Sequence, residues 1–345
     1  MTARAAFLRQ AWQARTLLTW LLWPLSLLLS LAVACRRTLY ACGLLASHRL
    51  PVPVVVVGNV LLGGVGKTPV VMALTEHLQA RGWRVGVISR GYGRRGHEVH
   101  EVTVDSTPQD AGDEALLIAR RCQVPVVVGA DRPAAARWLL QRHPETDVIL
   151  SDDGLQHLAL AHDLALCVFD GRGLGNGWLF PAGPLREPWP RPHQVPQWLL
   201  YSVPEATLAV RRPEGQAFVL ERRLAEFAYN ASGDQRSLSH WQTHPCHALA
   251  AIAKPEAFFN MLKQQGVQLC DTLALPDHDP LTSVPACLDD GSDWLCTEKD
   301  ASKLWQAHPQ AWAVPLEVTL PAELLAELET ALEAKLSSSH GHKTA

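Results

Sequence analysis

The chain has 345 residues, 48% of them hydrophobic, and a formal net charge of −3. That is enough for two ordinary domains with sizeable cores. The near balance of charge, with no basic tail, excludes bulk binding to nucleic acid. The eight cysteines form no C-x-x-C pair, which argues against a zinc site and a disulfide framework. Cys167 and Cys296 lie inside apolar runs and are expected as small core residues.

Leu17 to Cys35 is apolar and uncharged, bounded by Arg15 and by Arg36 and Arg37. A helix needs about 20 residues to cross the hydrocarbon core, so this run is long enough, and membrane helices tolerate Pro24. Basic residues at both ends argue against a cleaved signal peptide. A spanning helix and an in-plane anchor both remain open. Trp12, Trp20 and Trp23 suit a lipid–water boundary.

Beyond the leader, short apolar strands alternate with helices. Strands are expected at Val54–Val57, Val85–Ile88, Val124–Val128, Val148–Leu150, Leu164–Phe169 and Trp198–Val203, with helices at Val70–Leu78 and Asp113–Arg121. Such alternation implies a parallel sheet covered on both faces. From Gly171 to Pro196 the chain is rich in Gly, Pro and Arg and is expected to be a long irregular segment, of a kind that is either functional or disordered. A smaller α/β unit follows, with strands at Ala248–Ala253, Trp294–Thr297 and Val314–Leu320. Its helices are expected at Pro255–Gln265, Asp300–Trp305 and Ala322–Lys335. The expected division is 1–48 for the anchor, 49–215 for the first domain, 216–336 for the second and 337–345 for a frayed tail.

Gly58 to Thr68 carries the densest chemistry. Gly63, Gly64, Val65, Gly66, Lys67 and Thr68 lie between a strand and a helix, the setting of a phosphate-binding P-loop. Glycines let successive amides curl around a phosphate, and the helix turns its positive end toward it. Lys67 can bridge terminal phosphates, and the Thr68 hydroxyl can ligate Mg²⁺. The strict motif has glycine where this chain has Leu61. Asp152 and Asp153 end an apolar strand, where a magnesium site needs carboxylates, and Gly154 allows the strand to break there. Gly112-Asp113-Glu114 opens a helix, where acids also serve as caps. His157 and His278 are lone histidines in polar loops. Arg90, Arg94, Arg132 and Arg186 lie in turns where a guanidinium can clamp phosphate.

The order of these motifs resembles the tetraacyldisaccharide 4'-kinase family of lipid A biosynthesis. The matching pieces are Val57-Gly58-Asn59 with Gly63 to Pro69, Ser89-Arg90-Gly91-Tyr92-Gly93, Gly112-Asp113-Glu114 and Ser151 to His157. Asp170, Gly175-Asn176-Gly177, Pro181 to Pro188, Pro276-Asp277-His278 and Thr297 to Ala301 complete the series. The resemblance implies an α/β fold: a P-loop NTPase-like parallel-sheet domain, a second, smaller α/β domain and an N-terminal membrane-associated helix. It implies ATP and Mg²⁺, a lipid disaccharide acceptor and a place at the cytoplasmic face of a bacterial inner membrane. It assigns Asp113 as general base with His278 as its partner, and Lys67 to the phosphates. Thr68, Glu114, Asp152 and Asp153 are implied at the metal, and Arg90, Tyr92, Arg132, Gln156, His157 and Arg186 toward substrate. Three departures stand out: Ala251 to Pro255, Leu155 and Asp279. Nothing sets an oligomeric state, and a monomer is compatible. A P-loop GTPase or ATPase switch is the competing class, but the chain lacks a clear N-K-x-D. A membrane scaffold without activity leaves Lys67-Thr68 and Asp152-Asp153 unexplained.

Overall fold

The computed structural model describes residues 11–190, 195–202, 215–281 and 291–340. The first lobe is built on an eight-stranded sheet in the order β3-β4-β2-β5-β1-β6-β7-β8. Its strands are β1 (Val54–Gly58), β2 (Val85–Ser89), β3 (His100–Val102), β4 (Val126–Val128), β5 (Val148–Asp152), β6 (Leu164–Phe169), β7 (Gln197–Tyr201) and β8 (Ala217–Val219). All neighbours are parallel except β3 on β4. The central strands are buried at every position because helices cover both faces, so they read as continuous apolar runs rather than alternating ones.

Helix α1 (Leu17–Ala41) is the apolar leader. Helices α2 (Lys67–Ala80), α3 (Pro108–Ala111), α4 (Asp113–Cys122) and α5 (Arg132–Arg142) belong to the first lobe. The second lobe has a six-stranded sheet, β11-β10-β15-β14-β12-β13. It comprises β10 (Phe227–Tyr229), β11 (Gln235–Ser237), β12 (Cys246–Ala250), β13 (Leu269–Ala274), β14 (Trp294–Thr297) and β15 (Trp312–Val314), with helices α6 (Pro255–Gln264) and α7 (Glu298–Leu304). An antiparallel pair, β9 (Glu221–Leu224) with β16 (Leu316–Thr319), links the lobes. Helix α8 (Ala322–His340) ends the described chain.

The two-domain division needs correction at both ends of the second unit. The boundary expected at 215 falls before β8, which pairs with β7 and completes the first sheet. Leu324, Leu328 and Leu332 of α8 pack into the first core, so the chain returns there after the second lobe. The single strand expected at Val314–Leu320 is two strands in different sheets, because Pro315 has no N–H for a ladder. The frayed tail expected from 337 is helical to His340; 341–345, like Val203, lie outside the described residues. Cys167 and Cys296 are fully buried, as expected.

The leader is docked along its whole length. The Trp12 indole donates to Pro181 O at 2.9 Å, and Asn176 N to Trp12 O at 2.8 Å. Ser26 Oγ donates to Leu179 O at 2.7 Å and accepts from Ala182 N at 3.0 Å. Trp20 meets Trp178 edge-on at 4.8 Å. At the far end Arg36 donates to Gln156 O and Arg37 pairs with Glu187. The opposite face stays open, with Leu21 76%, Leu28 65% and Leu31 68% exposed.

Candidate active site

Strand β1 delivers the glycine loop to the edge of the sheet. The Leu61 departure has a physical reason: its side chain is fully buried and its backbone bridges to Leu185, so this position anchors the loop instead of curling it. Leu62 N donates to Pro184 O at 2.8 Å. Gly66 adopts φ +84°, a left-handed turn that sets the N-terminus of α2. Among the described residues, the amides of Gly63, Gly64, Val65, Gly66, Lys67 and Thr68 donate to no protein acceptor. That leaves a cradle of free donors at a helix N-terminus, which fits a polyphosphate. Lys67 Nζ lies 3.5 Å from Asp153 Oδ1.

The strand break expected at Gly154 occurs one residue earlier, at Asp153, whose φ is +51°. The turn separates the two acids. Asp153 is bound to Arg186 Nη1 at 3.1 Å as well as to Lys67. Burial raises its carboxyl, but the Lys67 and Arg186 charges outweigh that and keep it below the usual carboxylate range. Asp152 is fully enclosed, and its Oδ1 has no hydrogen-bond partner among the described residues. Burial, with Glu114 and Asp153 nearby, pushes its carboxyl up against the pull of Lys67 and Arg132. An orphaned carboxylate oxygen near a second acid, Glu114, fits a divalent cation. Among the described residues no cluster of three or more His, Cys, Asp or Glu forms a ready cage. Mg²⁺ carried by a nucleotide needs only one or two protein carboxylates.

Gly112 allows the second cluster to form. A Cβ there would stand 2.7 Å from Tyr92 O, so glycine lets the Gly91–Tyr92 turn press against the start of α4. Asp113 and Glu114 open that helix. Asp113 Oδ2 receives Lys303 Nζ at 2.8 Å and faces His278 Nδ1 at 3.2 Å. No described side chain bonds its Oδ1. Burial raises the Asp113 carboxyl; bonds from His278 and Lys303 and the charges of Lys303 and Lys299 outweigh it and hold it low. Lys299 Nζ lies 3.3 Å from His278 Nε2, 3.3 Å from Asp277 Oδ1 and 3.6 Å from Glu114 Oε1. Burial lowers the Lys299 ammonium, but Glu114, Asp277 and Asp113 raise it more, so it stays charged. Both lysines stand on α7, whose first turn is capped by Thr297 accepting from Asp300 N. Asp300 in turn accepts from Ala251 N and ties α7 to the end of β12.

The other expected residues divide. Tyr92 is exposed, with its ring 5.0 Å from the His278 imidazole. Arg90 is exposed. Arg132 is 1% exposed and donates to Gly129 O and Asp152 O, so it braces strand ends instead of facing a ligand. Gln156 donates to Asn59 O and Glu187 Oε1, linking the loop to the leader's partner. Burial and the charges of Arg132 and Arg90 push the His157 imidazole down to about 4, so it is neutral at physiological pH. Leu155, one of the three departures, is buried against Gly58.

Sequence reasoning missed Arg222, Asp170, Lys299 and Lys303 as site residues. Arg222 of β9 donates to Val65 O at 2.9 Å and Gly66 O at 3.3 Å. Asp170 binds Arg172 at 2.9 Å and Lys254 at 2.7 Å, while Arg172 reaches Leu62 O. Lys254 thus ties the second lobe to the first beside the glycine loop. Burial raises the Asp170 carboxyl, but the bonds and charges of Arg172 and Lys254 outweigh it and hold it at about 2. A depressed carboxylate stabilises the fold above its ordinary value near 3.9 and loses that contribution as pH falls toward 2. A shift of this size corresponds to roughly 2–3 kcal/mol. Asp170→Asn is therefore expected to lower urea resistance at pH 7, and the gap from the unaltered chain to narrow between pH 4 and pH 2.

The profile of the family described as tetraacyldisaccharide-1-P 4'-kinase matches residues 18–333. The chain belongs to that family. A tetraacyldisaccharide 4'-kinase of Acidovorax ebreus is 52% identical over 335 residues, 96% of each chain. One from Delftia acidovorans is 46% identical over 328 residues, 95% of each. The crystal structure of LpxK from Aquifex aeolicus in complex with ATP superposes with a TM-score of 0.79 at 28% identity, covering 93% of this chain and all of that one. The family and fold implied by the motif order therefore hold, and the competing switch class falls away.

Proposed function

We propose that this chain transfers the γ-phosphoryl group of ATP to the 4'-hydroxyl of a tetraacyldisaccharide 1-phosphate, giving the bisphosphorylated lipid A precursor. The observation that carries the reading is Asp113: one carboxylate oxygen is held by Lys303 and His278, and no described side chain bonds the other. The free amides of 63–68 and Lys67 hold the β- and γ-phosphates. Asp113 Oδ1 accepts the hydroxyl proton, and general-base help of this kind is worth about 10²–10⁴-fold. Asp152, Glu114 and the Thr68 hydroxyl are the residues to hold Mg²⁺, which would neutralise phosphate charge there. Arg186, set beside Lys67 by Asp153, and Arg90 supply positive charge toward the acceptor. The relatives' names and the ATP in the solved neighbour support the substrate pair. Purified chain given γ-labelled ATP and the lipid should move label onto lipid. Release of labelled phosphate with no label on lipid would reject the assignment.

Helix α1 is read as lying in the membrane interface at the cytoplasmic face, where ATP is available. The helix is long and apolar enough to cross a bilayer. Its two ends, however, bind the same lobe through Trp12 and Arg37. A spanning helix would carry those ends about 30 Å apart across the hydrocarbon. In-plane insertion instead buries the open leucine face and keeps Arg36 and Arg37 near the site. Each inserted leucine is worth roughly 1.5–3 kcal/mol. A Leu21→Glu, Leu28→Glu pair should thus cut flotation with anionic vesicles at least about tenfold, while a monomeric, soluble chain keeps its circular dichroism. Unchanged flotation would reject this face as the anchor.

A further inference from the structure

Of the two α7 lysines, Lys303 bonds Asp113 directly, whereas Lys299 reaches only its partner His278. An ammonium carries hydrogens and no lone pair. The His278 nitrogen that faces Lys299 at 3.3 Å, Nε2, must therefore accept. A neutral imidazole then carries its hydrogen on Nδ1, the nitrogen 3.2 Å from Asp113 Oδ2. The opposite tautomer would set two donors against each other at Lys299 and aim a lone pair at a carboxylate.

We propose that Lys299 is a positioning residue that fixes His278 as the Nδ1–H tautomer, so that the imidazole donates to Asp113 Oδ2 and leaves Oδ1 to take the acceptor's proton. The inference rests on reading Asp113 as the base. Lys303 completes the arrangement. It occupies the same Oδ2 at 2.8 Å and Asp279 O at 2.9 Å, so it bonds the base and the turn carrying His278 at once. Asp277 and Glu114 flank Lys299 and hold its head in place. Lys299, Lys303 and His278 all belong to the second lobe, whereas Asp113 and Glu114 open a first-lobe helix. The tautomer is thus set within one lobe before it meets the carboxylate, the kind of preorganisation that a rigid supporting shell provides. Asp279 meets Lys303 through its backbone oxygen, while its carboxylate accepts from Leu281 N at 2.9 Å and shapes the turn.

The test uses the full-length chain, labelled with ¹⁵N-histidine and held in detergent micelles. The His278 ring nitrogens are assigned by their loss in His278→Asn. The unaltered protein should show hydrogen on Nδ1. Lys299→Met keeps the length of the side chain and removes the donor. It should shift His278 toward Nε2–H and lower kcat by about 10- to 100-fold, part of what general-base help supplies. KM for ATP and for lipid should stay within about twofold, as for an interaction made in the transition state. Lys299→Arg, which retains a donor, should restore the Nδ1–H signal and most of the lost kcat. Hydrogen on Nε2 in the unaltered protein, an unchanged kcat in Lys299→Met, or a slower Lys299→Met with Nδ1–H intact would each overturn the proposal. Should Lys299→Met fail to fold, the unaltered spectrum and Lys299→Arg decide it alone. Asp113→Asn at full speed would instead sink the base assignment and leave the histidine spectrum standing.

Discussion

Asp113→Asn should lower kcat by about 10²–10⁴-fold, the range of general-base help, with both KM values little changed. The amide keeps the shape of the side chain and can still meet Lys303 and His278, but it cannot accept the hydroxyl proton. Two bonds converge on Oδ2, so the substitution removes the base without removing the helix start that Asp113 and Glu114 stabilise. The carboxyl lies below its ordinary value because its hydrogen bonds and neighbouring ammonium groups outweigh burial. A depressed carboxylate stays ionised as pH falls until its own lowered value is reached. Loss of rate from protonating Asp113 should therefore set in only below the range in which an ordinary aspartate takes up its proton. Single-turnover rates across pH would check both the drop and the position of that limb. A variant turning over at the rate of the unaltered enzyme would remove Asp113 from the chemistry.

Lys67→Met should cost about 10²–10³-fold in kcat/KM, the scale of losing one preorganised charge stabiliser at a transferring phosphoryl group. Lys67 is the first residue of α2, with its head 3.5 Å from Asp153, and most of its side chain is covered. The free amides of the loop remain in the variant, so ATP affinity should fall less than turnover. Lys67→Arg is not expected to rescue, because a planar fork cannot stand in for a compact ammonium in a turn closed by Arg222. Equilibrium nucleotide binding measured beside steady-state kinetics separates the two effects. Equal losses in affinity and turnover would recast Lys67 as a ground-state ligand.

Much of this fold was legible because buried parallel strands announce themselves as uninterrupted apolar runs. Leu164–Phe169 and Trp294–Thr297 match β6 and β14 residue for residue. Strand β5 ran two residues further than expected, because its terminal Ser151 and Asp152 are polar yet enclosed at the sheet edge. Helix α5 was overlooked, although Asp131 caps it and Pro133 sits in its first turn, both local start signals. The glycine loop and the acidic strand end carry their chemistry in adjacent residues, so they could be read in place. The surroundings of Asp113 could not. His278 lies 165 positions away, and the lysines that hold the base are further still. In sequence, Lys299 and Lys303 are only a helix repeat of four; what they touch is set by how the second lobe sits on the first.

Helix α8 gives the end of the chain a part in the first lobe's stability. Leu324, Leu328 and Leu332 fill the core that surrounds β1 and β6, yet they are made after the whole second lobe. On the ribosome the first-lobe core stays incomplete until residues 324–332, made after the second lobe, have emerged. Domain-by-domain folding from the N-terminus is thereby denied to this chain, and a late frameshift would strike the phosphate loop's own scaffold.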